Sequence, residues 1–162
     1  MKRNKISLLF ICLGNICRSP AAEGVMRKKV EVAGLAERFH IDSAGIGNWH
    51  VGQLPDRRMR ACGQRHGYCF DSHARQICTD DFSRFDLLLV MDRDNYRAAT
   101  ALAPTHEDAR KVHQLTEYLT LHDGADTVPD PYYGGERDFE YALSLIEDAC
   151  QGLLEVLIRE NR

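Results

Sequence analysis

Short apolar runs alternate with segments of helical periodicity along this chain. The apolar runs predict four β-strands, at about residues 5–12, 39–43, 85–91 and 111–115. The helical patterns predict helices at about residues 20–33, 55–66, 93–102 and 138–158. The run at 85–91 is apolar almost throughout, as expected for a parallel strand that is covered on both faces. Strands that alternate with helices in this way are typical of an α/β fold with a parallel sheet.

The chain has 162 residues, which suits one domain, 1–162, with one adequate core. Its apolar content of 44% and charged content of 28% are ordinary for a globular protein, and we find no repeat or linker. The net charge of −3 gives no support for a nucleic-acid partner, which would favour a basic face. No segment approaches the ~20 apolar residues of a membrane span, so we expect no membrane partner.

The N-terminal segment 1–13 imitates a charged secretion signal followed by a short apolar region. It lacks the small residues of a cleavage site, so a first buried strand is the better interpretation. The six cysteines include no CxxC pair, and their spacings fit no zinc module. A disulfide framework would be unusual in a chain of this size without a secretion signal. We therefore expect reduced thiols and a cytoplasmic protein.

The segment from Cys12 to Arg18 carries the clearest chemical signal. A thiol and a guanidinium are separated by five residues, where the first strand passes through a tight loop into a helix. Backbone N–H groups of such a loop, together with the helix N-terminus, form a cradle for a tetrahedral anion. Gly14 would allow a positive φ in the turn, Ser19 would cap the helix, and Pro20 would be its first residue.

The same surroundings would activate the thiol of Cys12. A helix N-terminus and a neighbouring cation favour the thiolate, which is the nucleophilic form of cysteine. Arg18 would clamp two oxygens of the bound anion. Doubly wound sheets bind ligands beyond the carboxyl ends of their strands, and Cys12, Ser43 and Asp92 lie at the ends of three predicted strands. One loop would therefore bind a phosphate group and attack it.

The sequence resembles the low-molecular-weight protein tyrosine phosphatases over nearly its whole length. The match is almost residue for residue across the signature loop, 9–23. Further matching motifs follow in the family's order: Asp42-Ser43-Ala44-Gly45 with Trp49-His50, Ser72-His73-Ala74-Arg75-Gln76, Val90-Met91-Asp92 with Asn95, and Pro129-Asp130-Pro131-Tyr132-Tyr133. The resemblance implies a single domain with a four-stranded parallel twisted sheet and helices on both faces.

The resemblance also implies the roles of the central residues. Cys12 would be the nucleophile that forms a cysteinyl-phosphate, and Arg18 the phosphate clamp. Asp130 matches the family's general acid and base, although an aspartate between two prolines would by itself suggest only a turn. No metal or cofactor is implied. The remaining loop residues would bind the phosphate: Leu13, Gly14, Asn15, Ile16, Cys17 and Ser19.

Three further residues are expected to support the loop. In the family, the partners of Asn15 lie at the positions of Ser43 and His73, and Asp92 matches a position near the loop. The side chain of Asn15 would shape the loop rather than contact the substrate, so its part in phosphate binding would be that of its backbone. Ile46 departs from the family pattern, in which threonine is common here, and the lost hydroxyl would loosen the loop slightly.

Two other properties follow from the resemblance. Cys17 matches a cysteine that forms a reversible disulfide with the nucleophile and protects it from over-oxidation. Trp49, Tyr132 and Tyr133 would wall a deep slot that phosphotyrosine fills and the shorter phosphoserine does not. The expected partners are phosphotyrosine-containing protein substrates, with inorganic phosphate or other oxyanions in the loop.

Two alternative functions stay open at the level of sequence. An arsenate reductase would use the same anion cradle, but its chemistry usually requires further cysteines near the site, for which Cys78 is the candidate. A phosphotyrosine-binding module without turnover would be expected to lack the nucleophile or the acid. Cys12, Arg18 and Asp130 are all present, so the sequence favours the phosphatase.

Overall fold

The computed structural model describes residues 5–122 and 124–161. Four parallel strands form one sheet in the order β2-β1-β3-β4, which confirms the predicted fold. Residues 1–4, 123 and 162 belong to the predicted domain but lie outside the described residues. Residue 123 is also the first residue of a loop that the sequence predicts at 123–135. The strands are β1 (Ile6–Cys12), β2 (Phe39–Gly45), β3 (Leu87–Val90) and β4 (Val112–Gln114).

The four longer helices agree with the predicted ones to within two residues at each end. The one-turn helices α3 and α5 have no counterpart in the prediction, because four residues are too short to show a helical period. No helix within 5–122 or 124–161 has the length and apolar character that crossing a membrane requires. The helices are α1 (Arg18–Val32), α2 (Arg57–Arg65), α3 (Asp81–Arg84), α4 (Arg93–Leu102), α5 (His106–Ala109) and α6 (Glu136–Glu160), with 3₁₀ turns at Ala36–Arg38 and Leu115–Tyr118.

The start of α1 differs from the prediction. The helix begins at Arg18 with Cys17 as its N-cap, so Ser19 and Pro20 lie inside the first turn. Proline is tolerated there because the first N–H groups of a helix have no partner within the helix. The Ser19 hydroxyl does not cap the helix; it is buried and lies 3.0 Å from the sulfur of Cys12. Arg18, which carries the guanidinium, is thus the first residue of the helix.

Side chains of β1 supply the cores on both faces of the sheet. Leu8, Phe10 and Cys12 belong to the apolar layer shared with α1 and α6, whereas Leu9 and Ile11 belong to the layer on the opposite face. This alternation follows from the two-residue period of a strand. Each of these side chains is at most 3% exposed. Cys12 is thus held at the end of a strand that packs on both sides.

A buried carboxylate on α6 anchors the segment that follows the second 3₁₀ turn. Asp148 accepts hydrogen bonds from the backbone N–H groups of Thr120, Leu121 and His122, at 3.0, 2.9 and 3.0 Å. The Thr120 hydroxyl and the His122 ring lie within 2.9 and 2.8 Å of the same carboxylate. Burial by itself would raise the pKa of Asp148, but these partners hold it well below its usual range.

We expect Asp148→Asn to lower the free energy of unfolding by about 2–4 kcal/mol at neutral pH, because it removes the charged acceptor of a buried network. A carboxylate with a lowered pKa stabilises the fold above its unfolded-state pKa of about 3.9 and loses that contribution as pH falls through the lower folded-state pKa. The difference from the wild type should therefore shrink in acid. Urea unfolding over a pH series measures both effects.

The matched control is Asp126→Asn, whose carboxylate is 75% exposed. It should change the free energy of unfolding by less than about 0.5 kcal/mol. Equal losses in the two variants would contradict the anchoring role of Asp148.

Candidate active site

The loop after β1 is shaped by Asn15, the one non-glycine residue with a positive φ (58°) in the described part of the chain. Its amide nitrogen donates to the hydroxyls of Ser19 and Ser43, at 2.7 and 3.0 Å. Its amide oxygen accepts from the backbone N–H of Arg75, at 3.0 Å. Asparagine adopts this left-handed conformation more readily than most residues. The structure therefore supports the loop-shaping role predicted for Asn15.

Two predictions about this loop are wrong. Gly14 does not have a positive φ, because the left-handed turn is made by Asn15. The small size of Gly14 instead makes room for His50, since an added Cβ would lie 3.1 Å from that ring. His73 is exposed, and the backbone N–H of Arg75 takes the place that was expected for it beside Asn15.

Two carbonyls of the loop point away from the loop centre. The Leu13 carbonyl accepts from the N–H of Gly47 at 2.9 Å, and the Ile16 carbonyl accepts from the N–H of the residue that caps α2 at 2.7 Å. In a trans peptide the C=O and the following N–H point in opposite directions, and the described chain has no cis peptide. The N–H groups of Gly14 and Cys17 therefore face inward, as an anion cradle requires.

The sulfur of Cys12 lies at the base of this loop, at the carboxyl end of β1. It is 3.0 Å from the Ser19 hydroxyl oxygen, which already accepts a hydrogen bond from Asn15. The Ser19 hydrogen can therefore point toward the sulfur; the other acceptor, the carbonyl of Ala44, is farther away at 3.4 Å. A hydroxyl that donates to the sulfur stabilises the thiolate.

Arg18 is only 2% exposed, and hydrogen bonds to one of its terminal nitrogens fix its position. Its Nη1 donates to Asp92 Oδ2 at 2.7 Å and to the carbonyl of Val128 at 3.0 Å. Its Nη2 lies 3.5 Å from Asp130 Oδ2, and its Nε has no hydrogen-bond partner among the described residues. Burial opposes the charge, but Cys12 and the two aspartates raise the pKa of Arg18 above its usual value. Nε and Nη2 are the donors left to bind an oxyanion.

Asp92 connects this guanidinium to α4. It is the N-cap of that helix, and its Oδ1 accepts from the backbone N–H of Asn95 at 2.8 Å. Its other oxygen is the one that contacts Arg18. The supporting role predicted for Asp92 can therefore be stated more closely, as positioning Arg18.

Asp130 faces the cysteine loop across a cavity of about 300 Å³. Its Oδ1 accepts from the backbone N–H of Tyr132 at 3.1 Å, which orients the carboxylate, and its side chain is 40% exposed. Ser19 and Ser43 lie behind the loop rather than in the cavity. The cavity is lined by Cys12, Leu13, Gly14, Ile16, Cys17, Arg18, Trp49, His50, Asp130, Tyr132 and Tyr133.

The aromatic residues form the rim of this cavity. Trp49 and Tyr133 are 65% and 96% exposed, so they are not core residues. Tyr132 is partly buried and packs edge-on against Tyr133, with 4.9 Å between the ring centres. Trp49 covers Gly47, where an added Cβ would lie 1.9 Å from the indole ring. The predicted aromatic walls are therefore present, with most of their surface free.

One residue of the cavity and one residue that supports its rim were missing from the prediction. His50 lines the cavity, and its place beside Trp49 in the matched motif was the available signal. Arg58 donates to the carbonyl of Tyr132 at 2.9 Å and lies over its ring at 5.4 Å. Asp56 fixes the Arg58 side chain by contacts of 3.1 and 2.9 Å. The basic residues at the start of α2 were the only sequence signal for Arg58.

Cys17 lies in the loop as a free, buried thiol, and Cys12 is also free. Burial and, after it, the carboxylate of Asp56 raise the pKa of Cys17 far above its usual value. The surroundings of the two loop cysteines therefore differ. The Ser19 hydroxyl lies beside the sulfur of Cys12, whereas burial and Asp56 keep the thiol of Cys17 protonated. The disulfide between them that the resemblance implies stays a prediction.

A free thiol below a buried guanidinium, in a loop of inward N–H groups at the carboxyl edge of a parallel sheet, defines the class of cysteine-dependent phosphatases. Comparison with known proteins narrows the class to one family. Residues 7–162 match the family model described as low molecular weight phosphotyrosine protein phosphatase, and the chain belongs to this family.

Individual relatives match over most of the chain. The low molecular weight protein-tyrosine-phosphatase of Streptomyces coelicolor is 49% identical over 153 residues, which cover 94% of this chain and 93% of the relative. A crystal structure of a protein tyrosine phosphatase from Entamoeba histolytica, with Hepes in the active site, has a TM-score of 0.93 and 41% identity, covering 98% of this chain and 100% of that one. Vibrio vulnificus Wzb in complex with benzylphosphonate has a TM-score of 0.81 and 26% identity, covering 93% and 98%.

We expect Asn15→Ala to weaken the binding of inorganic phosphate by about 10–100-fold, because alanine loses the side-chain hydrogen bonds and resists the left-handed conformation. Asn15→Gly also loses the side-chain hydrogen bonds, but glycine adopts the left-handed conformation without strain. Its phosphate affinity should therefore lie between those of the wild type and Asn15→Ala. Isothermal titration calorimetry with phosphate measures the three dissociation constants.

His73→Ala is the control for this series, because the structure gives His73 no part in holding the loop. It should bind phosphate as the wild type does. Loss of affinity in His73→Ala, or wild-type affinity in Asn15→Ala, would show that the loop is held in another way.

Proposed function

We propose that this protein hydrolyses phosphotyrosine monoesters in protein substrates through a cysteinyl-phosphate intermediate. Cys12 is the nucleophile, Arg18 the phosphate clamp and Asp130 the general acid and base. The observation that carries the proposal is the convergence of these three side chains on one cavity of about 300 Å³, with the Ser19 hydroxyl 3.0 Å from the sulfur. Membership of the phosphatase family supports the same chemistry.

In the first step the phosphate of the substrate enters the loop. The inward N–H groups and the Nε and Nη2 atoms of Arg18 bind its equatorial oxygens, where charge accumulates in the transition state. The Cys12 thiolate attacks phosphorus, so an S–P bond forms while the P–O bond to the aryl group breaks. Asp130 transfers its proton to the leaving phenolate oxygen.

In the second step water attacks the phosphorus of the cysteinyl-phosphate. The Asp130 carboxylate, left ionised by the first step, accepts a proton from this water. The S–P bond breaks, phosphate is released, and the electron pair returns to the sulfur of Cys12. The Ser19 hydroxyl stabilises the departing thiolate by donating to it. Residues of this chain supply the nucleophile, the positive charge and the proton.

Substrate selection follows from the depth of the site. Cys12 is 3% exposed, whereas the rim residues Trp49 and Tyr133 are mostly exposed. An aryl phosphate spans this depth, and its ring stacks on the rim, with each good aromatic pair contributing about 0.5–1.5 kcal/mol. A phosphoserine side chain is shorter, so the peptide backbone would meet the rim before the phosphate reaches the sulfur.

The proposed partners follow from the same site. Phosphotyrosine-containing proteins are the substrates, and inorganic phosphate or other oxyanions bind in the loop as products or competitors. The related structures that hold Hepes or benzylphosphonate support the binding of such ligands. The cysteines of the described chain are free, which suits a reducing compartment, so we place the protein in the cytoplasm.

The arsenate reductase alternative gains no support from the structure. Its candidate resolving cysteine, Cys78, is exposed and is not among the residues that line the cavity. The cysteines that do line it are Cys12 and Cys17. The phosphatase interpretation is therefore the one that we retain.

We expect Cys12→Ser to lower turnover of p-nitrophenyl phosphate by more than about a thousandfold, because a serine hydroxyl is not ionised in this site. Phosphate should still bind, since the amide groups and Arg18 remain. Steady-state kinetics and calorimetry measure the two effects. Cys69→Ser, an exposed cysteine outside the cavity, is the control and should keep full activity. Substantial turnover in Cys12→Ser would remove Cys12 from the nucleophile role and leave a phosphate-binding loop.

We expect Asp130→Asn to slow hydrolysis by about 10²–10⁴-fold for phenyl phosphate, whose leaving group needs a proton. The loss should be much smaller for p-nitrophenyl phosphate, whose leaving group departs readily as the anion. The ratio of the two kcat values therefore reports the general acid. An equal loss for both substrates, or a loss of the same size in the exposed variant Asp126→Asn, would rule out this role.

A further inference from the structure

A second cluster of reactive side chains lies between α2 and α6, outside the cavity of the active site. Cys62 and His66 are on α2, and Glu140 is on α6. The Cys62 sulfur, a ring nitrogen of His66 and a carboxylate oxygen of Glu140 all lie within 4.8 Å of one another. The proposed phosphatase mechanism uses none of these three groups.

Helix geometry places the first two groups together. Cys62 and His66 are four residues apart, so their side chains lie on the same face of α2 in successive turns. Cys62 is fully buried, whereas the His66 side chain is 40% exposed. The cluster therefore extends from the protein interior to solvent, which gives a small ligand a direct path to it.

The carboxylate is already oriented toward the other two groups. One oxygen of Glu140, Oε2, lies 2.6 Å from His66 Nε2. The other, Oε1, accepts from the Arg65 Nε and Nη2 atoms at 3.1 and 3.0 Å. An ion that enters between His66 and Glu140 can bind Oε2 while Arg65 continues to hold Oε1. Such second contacts are typical of carboxylates that bind metals.

We propose that Cys62, His66 and Glu140 form a binding site for Zn²⁺ that links α2 to α6. Sulfur, imidazole nitrogen and carboxylate oxygen are the donors that zinc prefers, whereas Mg²⁺ and Ca²⁺ require oxygen donors. Ordinary zinc bond lengths of about 2.0–2.3 Å place tetrahedral donors about 3.3–3.8 Å apart, so the side chains need to move by only about 1 Å. Water takes the fourth position.

Charge and proton balance agree with a divalent ion. Binding replaces the S–H bond of Cys62 with a sulfur–metal bond, and the proton goes to water. Burial and the neighbouring carboxylate raise the pKa of this thiol to about 11, so it is protonated before the metal binds. Glu136 lies 3.3 Å from Arg65 on the outer side of the cluster. With the metal bound, the Cys62 thiolate and the carboxylates of Glu136 and Glu140 carry three negative charges, and Arg65 carries one positive charge. A divalent cation neutralises the remaining two negative charges.

The site would act on the rim of the active site through α2. Arg58 lies one turn before Cys62 on this helix, and it packs over the rings of Tyr132 and Phe139, with its guanidinium carbon 5.4 and 4.7 Å from the ring centres. A metal that fixes α2 against α6 therefore stiffens the support of Tyr132. The binding site itself does not depend on the proposed catalytic function.

Cobalt(II) is the probe for this site, because a thiolate ligand gives a charge-transfer band in the near ultraviolet and a tetrahedral site gives intense visible bands. The titration uses the full chain with Cys12→Ser, which removes the catalytic thiol as a competing ligand. We expect the two sets of bands to appear at one equivalent and Zn²⁺ to displace the cobalt. Zinc at a hundred times its dissociation constant should raise the Tm of the wild type by about 5–10 °C.

Single substitutions separate this site from others. His66→Gln and Glu140→Gln, both at partly exposed positions, should weaken cobalt binding by at least about tenfold and remove most of the zinc-dependent rise in Tm. Cys62→Ser should abolish the charge-transfer band. His113→Gln is the matched control, because His113 also lies beside a glutamate, 3.5 Å from Glu117. It should bind cobalt as the parent does.

Three results would overturn the proposal. The first is the absence of a charge-transfer band at saturating cobalt. The second is a band that persists in Cys62→Ser, which would place the metal at another thiol. The third is equal affinity in His66→Gln and His113→Gln, which would leave the His66–Glu140 contact as a surface ion pair. The histidine comparison keeps the proposal testable even if the buried Cys62→Ser variant fails to fold.

Discussion

The side-chain amide of Asn15 determines the direction of a whole chain of hydrogen bonds, and the chemistry of the sulfur depends on that direction. Its two N–H groups are used by Ser19 and Ser43. Ser43 in turn donates its hydroxyl hydrogen to the buried carboxylate of Glu23, at 2.6 Å. Since the Ser19 oxygen accepts from Asn15, its hydrogen is free to donate, and the sulfur of Cys12 at 3.0 Å is a nearer acceptor than the carbonyl of Ala44 at 3.4 Å. A network that holds the backbone turn therefore also supplies the hydroxyl that stabilises the thiolate.

The burial of Arg18 adds a second constraint. A guanidinium that is 2% exposed is expensive to bury unless its charge and its N–H groups find partners. Asp92 and the carbonyl of Val128 both bind the same nitrogen, Nη1, which leaves the opposite edge of the fork for a ligand. The chain as a whole carries a net charge of −3, so its overall field does not attract anions. Affinity for an oxyanion has to come from this local arrangement.

Features that depend on local sequence could be predicted, and features that depend on distant partners could not. The strands and long helices follow from hydrophobic period, and Cys12 and Arg18 from a strand–loop–helix spacing. Which loop residue takes the left-handed conformation was predicted incorrectly, because Asn15 is held by Ser43 and Arg75, which are 28 and 60 positions away in sequence. His73 was expected as a partner from the family resemblance, whereas the partner in the structure is the backbone N–H of Arg75, and a backbone N–H carries no residue-specific signal.

Three cysteines of this fold show how the surroundings decide what a thiol can do. Cys12 lies beside inward N–H groups, a hydroxyl and a guanidinium, which are the surroundings that its proposed role as a nucleophile requires. Cys150 is surrounded by apolar side chains, and burial raises its pKa to about 12, so it remains an inert packing residue. Cys62 is buried beside the carboxylate of Glu140, and both the burial and the carboxylate disfavour its free anion; together with the imidazole of His66 these groups offer ligands to a cation. The sequence shows three similar residues, and only the fold brings each to the partners that give it a different chemistry.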